Sequence, residues 1–155
     1  MENTTLYTEW ARPLADDIAQ ARRSVIVTSL SLQPRKANSG HPVSLLWSAM
    51  ETASNAGARV TFILPRPSPT HPATAFNLSA AADLSKLGIR SVFAPPANLL
   101  HAKTCIIDAT TVWVGSGNWT AAAAAHNREA YIRCESPDLA EKLRRSWADF
   151  GFLEA

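Results

Sequence analysis

Apolar residues recur along this chain in two rhythms, one helical and one of strands. Leu6, Trp10, Leu14, Ile18 and Ala21 fall at helical spacing and predict a helix over 6–22. SVIVTSLSL, 24–32, opens on β-branched residues and reads as a strand. QPRKANSGHP, 33–42, is a loop of turn formers. A helix over 43–56 follows, ended by Gly57 where a left-handed cap is expected. RVTFILP, 59–65, is a buried strand stopped by Pro65, and RPSPTHP, 66–72, is a stiff connection. A third helix over 73–87 is capped by Gly88 and leads into a third strand at 89–94. LLHAKTCIID, 99–108, and TVWVGS, 111–116, read as two strands joined by a tight Asp-Ala-Thr turn. A short alanine helix at 121–125, a strand at 128–134 and a closing helix at 137–149 complete the chain. Strands alternating with helices, then a hairpin, predict an α/β fold with a mixed sheet flanked by helices.

Composition narrows the class. The 155 residues fit a single domain over 1–155 with a real core. An apolar content of 46% with 18% charged residues excludes a disordered chain. A net charge of +2 permits a nucleic-acid or phosphate partner without demanding one. No apolar run reaches membrane-spanning length, and MENTTLYTEWARPLADD lacks a basic segment followed by an apolar one. The expectation is a cytoplasmic protein with no stable membrane association. Cys105 and Cys134 sit in apolar stretches and read as buried reduced thiols. No metal-site spacing is visible, so neither a metal nor another cofactor is expected.

The chemistry concentrates in residues 101–129. On a strand, His101 and Lys103 point the same way, about 7 Å apart. Their mutual repulsion favours a neutral, nucleophilic imidazole, and the pair forms a pocket that suits an anion. Asp108, at the turn and on the opposite face, is expected to accept from turn backbone groups. Gly115, Ser116, Gly117 and Asn118 combine close backbone approach with hydroxyl and amide donors at the start of a helix. Glu129 is the one carboxylate of the strand that follows. A carboxylate bonded to the second ring nitrogen of His101 would fix its tautomer and stabilise the imidazolium.

His101-x-Lys103, Asp108 and Gly115-Ser116-x-Asn118, at these spacings, resemble the HKD motif of the phospholipase D superfamily with every fixed position filled. Asn127 and Glu129 are similar to an Asn-x-Glu that follows the motif in that family. The element order before the motif is compatible with the superfamily's small bacterial endonucleases. The resemblance implies the phospholipase D/nuclease-like α-β-α sandwich. It implies that His101 is the nucleophile on phosphorus, that Lys103, Ser116 and Asn118 bind phosphodiester oxygens, and that Glu129 orients His101. Asp108 and Gly115 are then structural members of the motif.

Superfamily chemistry uses two such motifs, one histidine attacking phosphorus and the other protonating the leaving oxygen. This chain has one copy: His41, His71 and His126 have no lysine two residues on, and His71 and His126 read as surface or capping residues. The resemblance therefore implies a homodimer whose active site is shared between two chains. The leading expectation is a metal-independent endonuclease cleaving DNA, with RNA a second substrate, through a phosphohistidine intermediate. Arg22, Arg23, Arg35, Lys36, Arg66, Arg128, Arg144 and Arg145 are candidate neutralisers of its backbone charge. Trp47, Trp113 and Trp119 are candidate base-stacking residues, Trp113 reading as core and Trp119 as bordering the site. A phospholipase D or phosphatidyl transferase acting on lipid phosphodiesters is the alternative from the same residues. A catalytically inactive nucleic-acid-binding dimer module is the alternative from another class.

Overall fold

The computed structural model describes residues 3–36, 40–95 and 99–149; part of the loop expected at 33–42 lies outside them. The elements run β1 (Thr4–Tyr7), α1 (Ala11–Ala19), β2 (Ser24–Thr28), α2 (Pro42–Asn55), β3 (Arg59–Leu64) and α3 (Thr74–Lys86). They continue β4 (Arg90–Phe93), β5 (Thr104–Ile107), β6 (Thr111–Gly115), α4 (Ala121–Ala125), β7 (Tyr131–Glu135) and α5 (Pro137–Asp149). The strands form one mixed seven-stranded sheet in the order β1-β7-β6-β5-β2-β3-β4. β2, β3 and β4 run parallel, and the hairpin β5–β6 and β7 continue the sheet antiparallel.

Strand alternation sends one set of side chains to each face. Val25, Val27, Val60, Phe62, Leu64, Cys105, Ile107, Trp113 and Tyr131 join buried residues of α1 to α4 in the larger core. Ile63, Ile106 and Val112 face the other way and meet Ala140 and Trp147 of α5. Helices therefore cover both faces, as the pattern predicts. Cys105 and Cys134 are buried and form no disulfide.

Two expected elements are redrawn. The chain over 6–22 does not form one helix: residues 4–7 are an edge strand paired antiparallel with β7, and Leu6 is 64% exposed. Pro13 explains the late start. Proline is tolerated only in a helix's first turn, and α1 begins at Ala11. The strand expected at 99–108 is confined to Thr104–Ile107, because the chain must first cross the end of β3 and β2 to travel from β4 to β5.

Asp108 secures the end of the sheet remote from the hairpin's open end. It accepts from the backbone N–H groups of Arg22 (2.9 Å), Arg23 (2.7 Å) and Ser24 (3.0 Å). These belong to the α1–β2 connection and the first residue of β2, so Asp108 clamps a neighbouring segment rather than its own turn, which corrects the sequence expectation. Burial alone would raise its carboxyl, but the N–H donors of Ser24, Arg22 and Arg23 outweigh it and hold it below the ordinary carboxylate value. A depressed carboxyl adds stability above its unfolded pKa and loses it as pH falls through the folded one. Asp108→Ala should therefore cost about 2 kcal/mol at neutral pH, net of water replacing the acceptor. Its stability should also fall less steeply on acidification. Chemical denaturation at neutral pH and on the acid side of the carboxylate range checks both; equal losses at the two pH values would refute the clamp's ionic character.

Candidate active site

The open end of the hairpin lies where β2 and β3 finish and β5 and β7 begin. Ligands in open α/β sheets commonly bind at such carboxyl ends. Three segments are lashed together here. Gly115 N–H donates to Lys103 C=O (3.0 Å), and Ser116 N–H donates to Ala130 C=O (3.1 Å). This brings Lys103, Ser116 and Glu129 side by side although 26 residues separate the first from the last.

The His101 ring is exposed at the end of the sheet, whereas Lys103 is buried, 5% exposed. Lys103 Nζ donates to the carbonyl of His101 (2.6 Å) and lies 2.9 Å from its Nδ1 and 3.4 Å from its Nε2. A charged ammonium can only donate, so in this contact the imidazole nitrogen is the acceptor. The two side chains thus converge in contact rather than standing 7 Å apart, because His101 lies ahead of the regular strand. Burial pushes the Lys103 ammonium below its ordinary value of 10.5, partly offset by the charge of Glu129. No carboxylate among the described residues forms an ion pair with it.

A buried cation with only hydrogen-bond partners costs stability while it invites an anion. A depressed lysine penalises the fold below its lowered pKa, and the penalty fades as pH rises through that value toward 10.5. Lys103→Met should raise stability by about 1 kcal/mol at neutral pH while removing activity. Denaturation midpoints beside turnover assays check this; a less stable Lys103→Met protein would overturn it.

Asn118 is half-buried, and its Oδ1 accepts from Ser29 Oγ at 3.3 Å, which leaves the amide NH2 for a ligand. Ser29 is fully buried just past β2; its Oγ accepts from Trp119 N–H at 3.4 Å and shares its one proton between Asn118 Oδ1 and Ser31 C=O, the latter at 2.9 Å. Ser116 Oγ donates to Glu129 Oε2 at 2.5 Å and accepts from Ala130 N–H at 3.2 Å. Glu129 Oε1 accepts from Asn127 Nδ2 at 3.0 Å. The carboxylate is thus engaged by Ser116 and Asn127, not by His101, and lies just ahead of β7 rather than within it.

The loop that carries Ser116 and Asn118 rests on an aromatic floor. Tyr131 stacks on Trp10 with ring centroids 4.5 Å apart, and its hydroxyl donates to Gly117 C=O. A Cβ on Gly115 would stand 2.3 Å from Tyr131 Cγ, so the glycine is required by this ring rather than by a ligand. Ser29, Trp10 and Tyr131 were not singled out by sequence reasoning. Trp10 and Tyr131 are apolar-patterned positions like any core residue, and Ser29 falls inside a stretch that reads as continuous strand.

The tryptophans correct another expectation. Trp113 is core, as expected, but Trp47 and Trp119 are buried as well, and Trp119 packs edge-on against Phe62 instead of bordering the site. The candidate cations also separate. Arg22 and Arg23 lie at the far end of the sheet with Asp108, Arg35 pairs with Glu51, and Arg144 and Arg145 pair with Glu141. Arg66 and Arg128 are exposed near the site end, with no ion pair among the described residues. Among the described residues no three His, Cys, Asp or Glu side chains converge as metal ligands, and no helix is long and apolar enough to cross a membrane.

Residues 14–149 match the family described as "Cardiolipin synthase, PLD-like domain". The chain belongs to the phospholipase D superfamily. A curated relative, "Phospholipase D" of Rickettsia bellii, is 28% identical over 134 residues, 86% of this chain. The match spans 60% of that relative's length. The phospholipase D family member Nuc from Salmonella typhimurium superposes with a TM-score of 0.75 at 24% identity, covering 97% of this chain and 93% of Nuc. NucT from Helicobacter pylori gives 0.74 at 19% identity, covering 97% and 96%. At these identities the likeness to Nuc and NucT establishes the phospholipase D fold.

Proposed function

We propose that this phospholipase D-like chain is a metal-independent phosphodiesterase that cleaves nucleic acid, DNA foremost, as a homodimer with a shared active site. The observation that carries the reading is the exposed His101 ring held against the buried Lys103 ammonium, 2.9 Å from Nδ1, at the end of the sheet where Ser29 holds the Asn118 amide. In this reading a phosphodiester oxygen takes over the ammonium and the amide and releases the imidazole. A bare ring nitrogen then forms a bond to phosphorus while the P–O bond to the leaving group breaks. The second copy's His101 donates the proton to the departing oxygen and afterwards takes one from water, whose oxygen displaces the histidine from phosphorus. Lys103 and Asn118 stabilise charge gathering on the equatorial oxygens. Glu129, near enough to influence Lys103, is the candidate to orient His101 once substrate rearranges the Ser116 contact.

Several features support a nucleic-acid substrate and a dimer. The motif resembles that of single-motif endonucleases, and the chain spans nearly the whole of Nuc and NucT. Arg66 and Arg128 are available for backbone phosphates. Leu6, Ile132 and Val114, cross-strand neighbours leading to the Gly115–Ser116 corner, are exposed in a row that a second copy can bury. The lipid reading draws on the Rickettsia relative's name and the family's description.

The test is cleavage of plasmid DNA in excess EDTA, with His101→Ala as control. Cleavage should persist under chelation and vanish in the variant, and acid-labile, base-stable phosphate should be trapped on His101. Complete loss that added metal restores, or inversion at a chiral phosphorothioate, would sink the mechanism. Hydrolysis of phosphatidylcholine with intact DNA would move the substrate to the lipid class.

A further inference from the structure

A second concavity opens beside His101 and belongs to none of the motif residues. It has a volume of about 430 Å³ and is formed by the β3–α3 connection together with Pro95, Leu99 and Leu100, the residues leading to His101. Pro65, Pro67, Pro69 and Pro95 make rigid walls, and Leu99, 57% exposed, forms an apolar rim. Arg66 contributes an exposed guanidinium.

The connection is latched into shape. Ser68 N–H donates to Thr74 Oγ1 (3.0 Å), whose hydroxyl donates back to Ser68 C=O (2.8 Å). His71 N–H donates to Ser68 C=O (3.1 Å), and His71 Nδ1 accepts from Ala73 N–H (3.2 Å). That last bond places the proton of a neutral His71 on Nε2, a donor. The β3–α3 wall of the cleft is therefore held in shape by its own bonds, so an occupant pays little to organise that wall.

From this geometry we infer that the proline-walled cleft is the subsite for the nucleoside next to the scissile phosphate, with Arg66 binding the neighbouring backbone phosphate. Flat pyrrolidine and leucine surfaces suit the face of a base, while the guanidinium and hydroxyls suit a sugar–phosphate edge. An acyl chain offers no charge for the Arg66 guanidinium on the same wall, whereas a nucleotide's backbone phosphate does. The volume falls in the range of small-ligand sites. The inference rests on the nucleic-acid phosphodiesterase reading and adds to it a base subsite outside the motif, which gives the Arg66–phosphate contact a defined position.

The experiment compares bis(p-nitrophenyl) phosphate, which has no neighbouring nucleotide, with an oligodeoxynucleotide in the wild type, Arg66→Ala and Arg66→Lys. Arg66 is exposed, so thermal midpoints should match the wild type. For Arg66→Ala, kcat/KM on the oligonucleotide should fall about tenfold, and the salt slope of its binding should drop by about one. Turnover of bis(p-nitrophenyl) phosphate should stay within about twofold. Arg66→Lys should recover most of the salt slope. Equal losses on both substrates, or none on the oligonucleotide, would overturn the subsite while leaving the catalytic reading standing. A wild type that hydrolyses bis(p-nitrophenyl) phosphate but no oligonucleotide would overturn the subsite and the nucleic-acid substrate together. A wild type inactive on both would sink the catalytic reading with it.

Discussion

Heterodimers of wild-type and His101→Ala chains, purified free of wild-type homodimer, should complete almost no turnover. The reasoning is stoichiometric. In the proposed cycle, attack needs one neutral imidazole and leaving-group protonation needs a second, protonated one, and this chain offers one histidine of the required setting. Among the described residues no other histidine contacts Lys103: His41 caps α2 by accepting from Val43 N–H, His71 lines the neighbouring cleft with its Nδ1 latched to Ala73, and His126 ends α4. Loss of a general acid alone typically costs about 10²–10⁴ in rate. The heterodimer should fall into that range, and the His101→Ala homodimer below it, since nucleophile and acid are both gone. With an activated leaving group that needs no acid, the heterodimer should instead accumulate phosphohistidine on the intact chain. The wild-type pH–rate profile should be a bell belonging to the pair of rings rather than to either one. Retention of half the activity or more by the purified heterodimer would mean that each chain works alone. A base from within the chain, Glu129 first, would then have to replace the second histidine.

Among the described glycines, Gly115→Ala should be the most damaging added methyl group. The added Cβ would lie 2.3–2.5 Å from three atoms of the Tyr131 ring. The ring has no room to retreat, being stacked on Trp10 and tied through its hydroxyl to Gly117. Overpacking a rigid core typically costs 1–3 kcal/mol, and the upper end, about 3 kcal/mol, is expected here. For a chain of this size that lowers the thermal midpoint by about 10 °C. The Ser116–Asn118 loop should move with the ring, so activity should fall more than stability alone dictates. Combining Gly115→Ala with Tyr131→Ala should cost less than the sum of the two, because removing the ring removes the collision. A Gly115→Ala protein within about 0.5 kcal/mol of the wild type, the range of ordinary surface changes, would show that the ring is not a fixed floor.

The two predictions depend on different kinds of information. The histidine stoichiometry is legible in the sequence, because a motif of fixed spacing needs only the residue types and a hairpin to carry them. The period of the apolar positions likewise determined that strands alternate with helices and that the sheet is mixed, since local alternation follows from side-chain geometry alone. Helix α5, the alanine helix and the hairpin turn fall where the pattern puts them.

Tertiary structure decided what local pattern cannot hold. Residues 4–7 became an edge strand because β7, more than 120 residues later, supplies their partners, and the apolar spacing from Leu6 carried no trace of that pairing. Asp108 clamps the backbone of Arg22 to Ser24 because β2 and β5 are neighbours in the sheet although remote in the chain. Trp119 points inward to Phe62, and which way a side chain faces at a loop-to-helix corner is set by the packed partner, not by its neighbours in sequence. The contact between His101 and Lys103, the Ser29 bond that aims Asn118, and the Tyr131 ring that forces a glycine at 115 all arise where segments distant in sequence are brought within bonding range. Sequence alone determined which chemical groups the chain possesses and the periodic elements that carry them. Only the folded sheet decided their distances, because those are fixed by non-local strand pairing and close packing.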